Sequence, residues 1–275
     1  MDVKYKRVQG LVFSPTGGTR HVCERIVGTM SREMNVPSVI KDYTLPAERE
    51  TSLQLSSDDL LVWATPVYAG RVPNKMLEYM KMAVCAKDTP SVAIVVYGGR
   101  SYDDALAELV SIMKQSGCKV IGAAAIVARH VFSDNLAVGR PSASDVASLD
   151  LFGHRMVDKL LLHIFSEPIV PGDAEPTKYY APLKTDGTKA SFLKAKPVCD
   201  NSLCTSCWTC VNVCPMGSIK PDEKYPRFDG ICIKCAACWR MCPTGALSIT
   251  DVDFLSHVAM LEDNYKGNQP PLFFY

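Results

Sequence analysis

The sequence predicts an α/β protein: a doubly wound parallel five-stranded sheet, followed by a small α+β module built around cysteines. Three observations carry this. Over the first 165 residues, short apolar runs alternate with amphipathic stretches, the pattern of a parallel sheet with helices on both faces. A proline-rich stretch without periodicity then interrupts it at 166–196. Two cysteine runs of identical spacing follow, CTSCWTCVNVCP (204–215) and CIKCAACWRMCP (232–243).

The strand candidates in order are VQGLVFS (8–14), SVIKDYT (38–44), LLVWATP (60–66), SVAIVVY (91–97) and KVIGAAAIVA (119–128). They are rich in β-branched residues and bounded by Gly, Pro or charge. Helical patterns lie between and after them at 19–34, 73–86, 102–116 and 142–164. The expected organisation is a nucleotide-type α/β domain over 1–165, a connection over 166–196, a cysteine module over 197–252, and a helix with an apolar tail over 253–275. The connection's Tyr179–Tyr180 pair suits a segment laid on a surface. The tail PPLFFY (270–275) is apolar enough to dock, either on its own chain or on a second copy as a homodimer.

Composition narrows the function. With 275 residues, 47% hydrophobic, and a formal charge of +1, the chain can bury a sizeable core and has no bias toward nucleic acid. No apolar run approaches the roughly 20 residues that span a bilayer, and the N-terminus reads as a first strand rather than a signal peptide. A cytoplasmic protein is expected. There, twelve cysteines point to metal or redox chemistry rather than disulfides.

Each cysteine run is C-x2-C-x2-C-x3-C-P, the spacing of cubane iron–sulfur sites in which the fourth cysteine serves the other cluster. Three thiolates of one tight loop cap three irons, and the fourth corner points away from that loop. This assigns Cys204, Cys207, Cys210 and Cys242 to one [4Fe–4S] cluster, and Cys232, Cys235, Cys238 and Cys214 to the other. Zinc sites favour paired CxxC or Cys with His, and no histidine lies between 164 and 256. Cys23, Cys85, Cys118 and Cys199 fit no ligand position and read as packing residues. Trp208 and Trp239, one per motif, read as shields of the clusters or as core.

At the first strand-to-helix junction stands SPTGGT, with Ser14, Thr16, Gly17, Gly18 and Thr19. It offers hydroxyls and backbone amides at a helix start, an anion site suited to a phosphate monoester. It is neither a Walker loop nor a dinucleotide fingerprint. The loops after the third and fourth strands carry Pro66, Val67, Tyr68, Ala69 and Gly70, and Tyr97, Gly98, Gly99 and Arg100. Both lie where the switch-point rule expects a ligand, and their glycines and aromatics suit a flat heterocycle.

On these motifs the first domain resembles a flavodoxin. With RHVFSDNLAVGRP (129–141) and the two cysteine runs, the whole chain resembles the flavodoxin–ferredoxin fusion proteins called ferrodoxins. The resemblance implies FMN, its phosphate on Ser14–Thr19 and its ring between Tyr68–Gly70 and Gly98–Arg100. It does not explain the 129–141 segment, in which His130 and Arg140 are candidates to approach the flavin and a structural loop is the plainer reading. The expected function is electron transfer between FMN, two [4Fe–4S] clusters and a redox partner protein. Two alternatives stand beside it: an FMN-dependent reductase of a small acceptor, and a reductive activator of a metalloenzyme.

Overall fold

The computed structural model describes residues 5–275. The first domain contains β1 (Arg7–Val12), α1 (Gly18–Met34), β2 (Ser38–Asp42), a 3-10 turn (Pro46–Arg49), β3 (Leu53–Leu55), β4 (Asp59–Pro66), α2 (Leu77–Met82), β5 (Val84–Ala86), β6 (Thr89–Tyr97), α3 (Ala105–Gln115), β7 (Cys118–Val127) and α4 (Ala143–Leu161). The cysteine module contains β8 (Val198–Cys199), α5 (Thr209–Asn212), β9 (Ile219–Asp222), β10 (Tyr225–Phe228), α6 (Ala237–Arg240) and β11 (Leu247–Ser248). Helix α7 (Val252–Asn264) and β12 (Leu272–Phe274) close the chain.

The main sheet runs β12-β7-β6-β4-β1-β2. Its five strands from β2 to β7 are all parallel. Counting only these, the order is 2-1-3-4-5, that of a flavodoxin-like sheet. Each strand feeds both faces because successive side chains alternate. On β4, Leu60, Val62 and Ala64 pack with Val22, Ile26 and Met30 of α1 and Phe152 and Met156 of α4. Leu61 and Trp63 turn the other way, toward Leu106 and Leu109 of α3 and Met80 of α2. Helix α4 starts at a capping box, in which the Asp145 amide donates to Ser142 Oγ (3.2 Å) and Asp145 accepts from the Ser142 amide (2.6 Å).

Three features depart from the sequence reading. The helix expected over 73–86 is only Leu77–Met82, because Val84–Ala86 turns extended and pairs with Leu53–Leu55. Cys85 on that strand is exposed rather than packed. The sheet gains a sixth strand: Leu272–Phe274 lies antiparallel on β7, with Phe273 opposite Ala124 and its ring stacked on Phe152. The apolar tail therefore covers an edge that would otherwise present unpaired backbone.

The connection has no helix and crosses the carboxyl ends of the strands. The Tyr180 amide donates to Ala69 O (2.8 Å) and the Asp173 amide to Asp104 Oδ1 (2.9 Å). The 129–141 segment acts as a bracket. Arg240 Nε of α6 donates to Val131 O (2.9 Å), Ser133 Oγ donates to Glu262 of α7, and Phe132 packs on Trp239 and Phe254. Arg140 pairs with Asp145 and donates to Gly267 O (3.3 Å) and Gln269 O (2.6 Å), fixing the approach to β12. No helix among the described residues is long and apolar enough to cross a membrane.

Candidate cofactor sites

The two cysteine runs fold alike. In each, the residue before a one-turn helix takes a left-handed backbone, Trp208 (φ 59) before α5 and Ala236 (φ 68) before α6. This curls the first three cysteines into a tight loop. Antiparallel pairing of β8 with β11 brings the start of the module to its end, and α5 packs beside α6. The eight cysteines thereby surround two cavities. Cys204, Cys207, Cys210 and Cys242 line one with Trp208, about 340 Å³ of empty space partly open to solvent. Cys214, Cys232, Cys235 and Cys238 line the other with Trp239, about 430 Å³ and likewise partly open to solvent. Each cavity takes three cysteines from one run and the fourth from the other.

Among the described residues no three His, Cys, Asp or Glu side chains gather at the spacing of a single metal ion. Each thiol set instead lines one of these two cavities. Donors to sulfur are in place. The Ser218 amide donates to Cys214 Sγ (3.4 Å), and the Thr209 and Thr244 hydroxyls lie 3.4 and 3.7 Å from the sulfurs of Cys207 and Cys242. The two surroundings differ. Cys207 is exposed and its thiol pKa is lowered, chiefly by Thr209. Cys235 is buried and burial pushes its thiol up to about 12. Cys199, on β8, packs against the module's apolar cluster as expected, and its thiol also lies against Cys204; burial followed by that neighbour pushes it up to about 12.

Ser14, Thr16 and Gly17 lie between β1 and α1, and Gly18 and Thr19 open the helix. Gly17 has φ 87, which favours glycine, and is the N-cap without any side-chain cap, so the first amides of α1 face the mouth of the loop. A side chain at Gly17 or Gly18 would meet open space. Thr16 is exposed and Thr19 buried, while Ser14 Oγ accepts from the Arg20 amide (2.9 Å). The helix dipole and the amides that open α1, that of Arg20 excepted, suit an anion such as a phosphate. A cleft of about 1460 Å³, open mouth included, runs from Ser14 and Pro15 along β2 to Asn212, Val213 and Met241 of the cysteine module. It flanks the loop on the side away from β4, and no motif or spacing in the chain pointed to it.

The other two predicted loops are brought side by side. The Val67 amide donates to Val96 O (2.9 Å) and the Asp104 amide to Gly70 O (3.0 Å). Tyr68 packs edge-on to Phe13 at 6.4 Å between ring centres. Its hydroxyl pKa is raised well above the usual value, first by burial and then by the Cys235 and Cys232 thiols. Pro66 and Val67 are half-buried, Ala69 is exposed, and Tyr97 is buried beside Tyr102. The glycines of the second loop have protein neighbours: a side chain at Gly98 would strike the His130 ring, and one at Gly99 would strike Gly267. Gln269 Nε2 donates to Gly99 O (3.0 Å). Arg71 forms a buried pair with Glu108, which also accepts from the Val72 amide (3.0 Å). Arg71 lies 4.3 Å from the Tyr179 ring centre and Arg100 lies 3.9 Å from that of Tyr180. The connection is thus strapped over both loops by its two tyrosines.

Residues 203–247 match the sequence family of the 4Fe-4S dicluster domain. No curated protein matches the chain. Among solved structures, a flavodoxin from the domain Archaea is 14% identical, with a TM-score of 0.41, over 57% of this chain and 99% of its own. A flavone reductase is 12% identical, with a TM-score of 0.42, over 61% and 67%. The flavodiiron protein of Giardia intestinalis is 11% identical, with a TM-score of 0.38, over 57% of this chain and only 37% of its own. The flavodoxin-like assignment stands on the strand order itself.

Proposed function

We propose that this chain, a flavodoxin-like domain carrying a 4Fe-4S dicluster domain, is an electron-transfer flavoprotein that couples one FMN to two [4Fe–4S] clusters and a redox partner protein. The observation that carries the reading is the pair of cysteine-lined cavities in the same polypeptide as a glycine-rich helix start after β1, whose N-cap residue Gly17 brings no side chain. Cys204, Cys207, Cys210 and Cys242 would hold one cluster, and Cys232, Cys235, Cys238 and Cys214 the other. The amides of α1 with Ser14, Thr16 and Thr19 would hold the FMN phosphate. Pro66–Gly70 and Tyr97–Arg100 would flank the ring. When bound, FMN supplies one- or two-electron chemistry and each cluster supplies one-electron transfer.

The chain's own residues do the rest. The sulfur-directed donors at Ser218, Thr209 and Thr244 set how readily each cluster accepts charge. The Arg71–Glu108 pair and the two strapping tyrosines hold the flavin loops and shut out water. The test of the flavin half is titration of apoprotein with FMN and FAD. FMN is expected to bind one per chain and FAD not. Replacing Thr16 and Thr19 together with Ala removes two hydroxyl donors to a charged group, each contributing roughly 1.5–3 kcal/mol, so affinity should fall at least about tenfold. Unchanged affinity would place the phosphate elsewhere.

A further inference from the structure

The two cavities are not equivalent in their relation to the flavodoxin-like domain. Met216 and Ile233, which wall the cavity of Cys214, Cys232, Cys235 and Cys238, pack on that domain's core, as does Tyr68, whose hydroxyl lies near enough to the Cys235 and Cys232 thiols to feel their charge. Arg49, whose guanidinium lies over Phe13, donates to Pro215 O (2.8 Å), next to Cys214. Arg240 and Trp239 tie the same cavity's helix to the 129–141 bracket. The cavity of Cys204, Cys207, Cys210 and Cys242 has the opposite character. All of its lining comes from residues 204–247, and Cys207, Thr205 and Thr244 on its rim are exposed.

From this asymmetry we infer an order of centres: the site of Cys214, Cys232, Cys235 and Cys238 is proximal to the flavin loops through Tyr68, Ile233 and Met216, and the site of Cys204, Cys207, Cys210 and Cys242 is the outer port. The inference rests on the proposed cofactor reading and adds a direction in space to it. Each step passes one electron and no atom between neighbouring centres, one being oxidised as the other is reduced. Protons gained or lost by the flavin exchange with solvent. The external party is a one-electron carrier that meets the chain at the exposed rim around Cys207. Tunnelling falls steeply with distance, so direct packing of the inner site's wall on the flavodoxin-like core and an exposed cysteine at the outer one make this order the fast route. A reverse order would place the flavin against the site with no wall on its domain.

The test uses the full chain, purified anaerobically, after iron, sulfide and FMN have been counted. Excited flavin is quenched by a nearby cluster, so FMN emission reports the inner neighbour without any turnover. Cys232→Ser, which perturbs the inner site, should raise FMN emission several-fold, whereas Cys207→Ser should leave it quenched. Because a ligand change can unfold the module, a second variant keeps all eight cysteines. Thr209→Val with Thr244→Val removes hydroxyls beside two outer sulfurs. It should lower the midpoint potential of one cluster, slow that cluster's reduction by dithionite, and leave the flavin potential and emission unmoved. Emission that recovers as much in Cys207→Ser as in Cys232→Ser, or a flavin potential that shifts with the threonine pair, would overturn the order. Wild-type chain lacking FMN or iron would instead overturn the cofactor reading on which it rests.

Discussion

Glu108 is the residue on which the strapped loops depend. It is 4% exposed, and it accepts from both Arg71 and the Val72 amide. Glu108→Ala would leave the Arg71 guanidinium buried without a partner, a loss of about 3–5 kcal/mol, seen as a lower denaturant midpoint; an unchanged midpoint would show that Arg71 finds water. His130 gives a pH signature. Its Nδ1 accepts from the Phe132 amide (3.1 Å), and burial, followed by the charges of His257, Arg240 and Arg100, lowers its pKa from 6.5 to about 4. Below pH 6.5 the unfolded chain takes a proton that the folded chain refuses. Stability from this group is therefore full above that pH and falls as pH drops toward 4, by up to about 3 kcal/mol. Urea midpoints of wild type and His130→Gln should diverge in that window and run parallel above it; parallel curves throughout would mean that the ring is hydrated. The eight cysteines and SPTGGT were legible as residues because their spacing is local. Glu108 and the packing of Gly98 on His130 were not, since each depends on partners far along the chain.

The elements divide the same way. Strands β1, β4, β6 and β7 were readable because buried parallel strands are continuous apolar runs. The end of α2 and the three-residue strands β3 and β5 were not, because their pairing with each other decides them. Strand β12 is the instructive case: its apolarity announced docking, but nothing local named β7 as the surface. The clamp predicts how to release it. Arg140→Ala removes two donors to the tail and leaves Asp145, 5% exposed, without its cation. Limited proteolysis should then remove residues 266–275 faster than in wild type, while the rest of the chain stays intact. Equal cleavage would mean that the pairing of Leu272–Phe274 with β7 holds the tail alone.

At the scale of the whole molecule, the bracket of 129–141 and the strapped connection tie the cysteine module to one end of the sheet, the end that carries the three candidate cofactor loops. The sequence shows two halves and a connection; their mutual placement comes from contacts such as Arg240 to Val131 O and Arg49 to Pro215 O, which no periodicity encodes. That placement has meaning only if both halves carry redox centres. The decisive measurement is therefore metal, sulfide and flavin analysis of the full chain purified without oxygen. One FMN is expected with about eight irons and about eight acid-labile sulfides per chain, as two cubane clusters require. Stoichiometric zinc in place of iron, or a chain that holds its clusters and takes up no flavin, would contradict it.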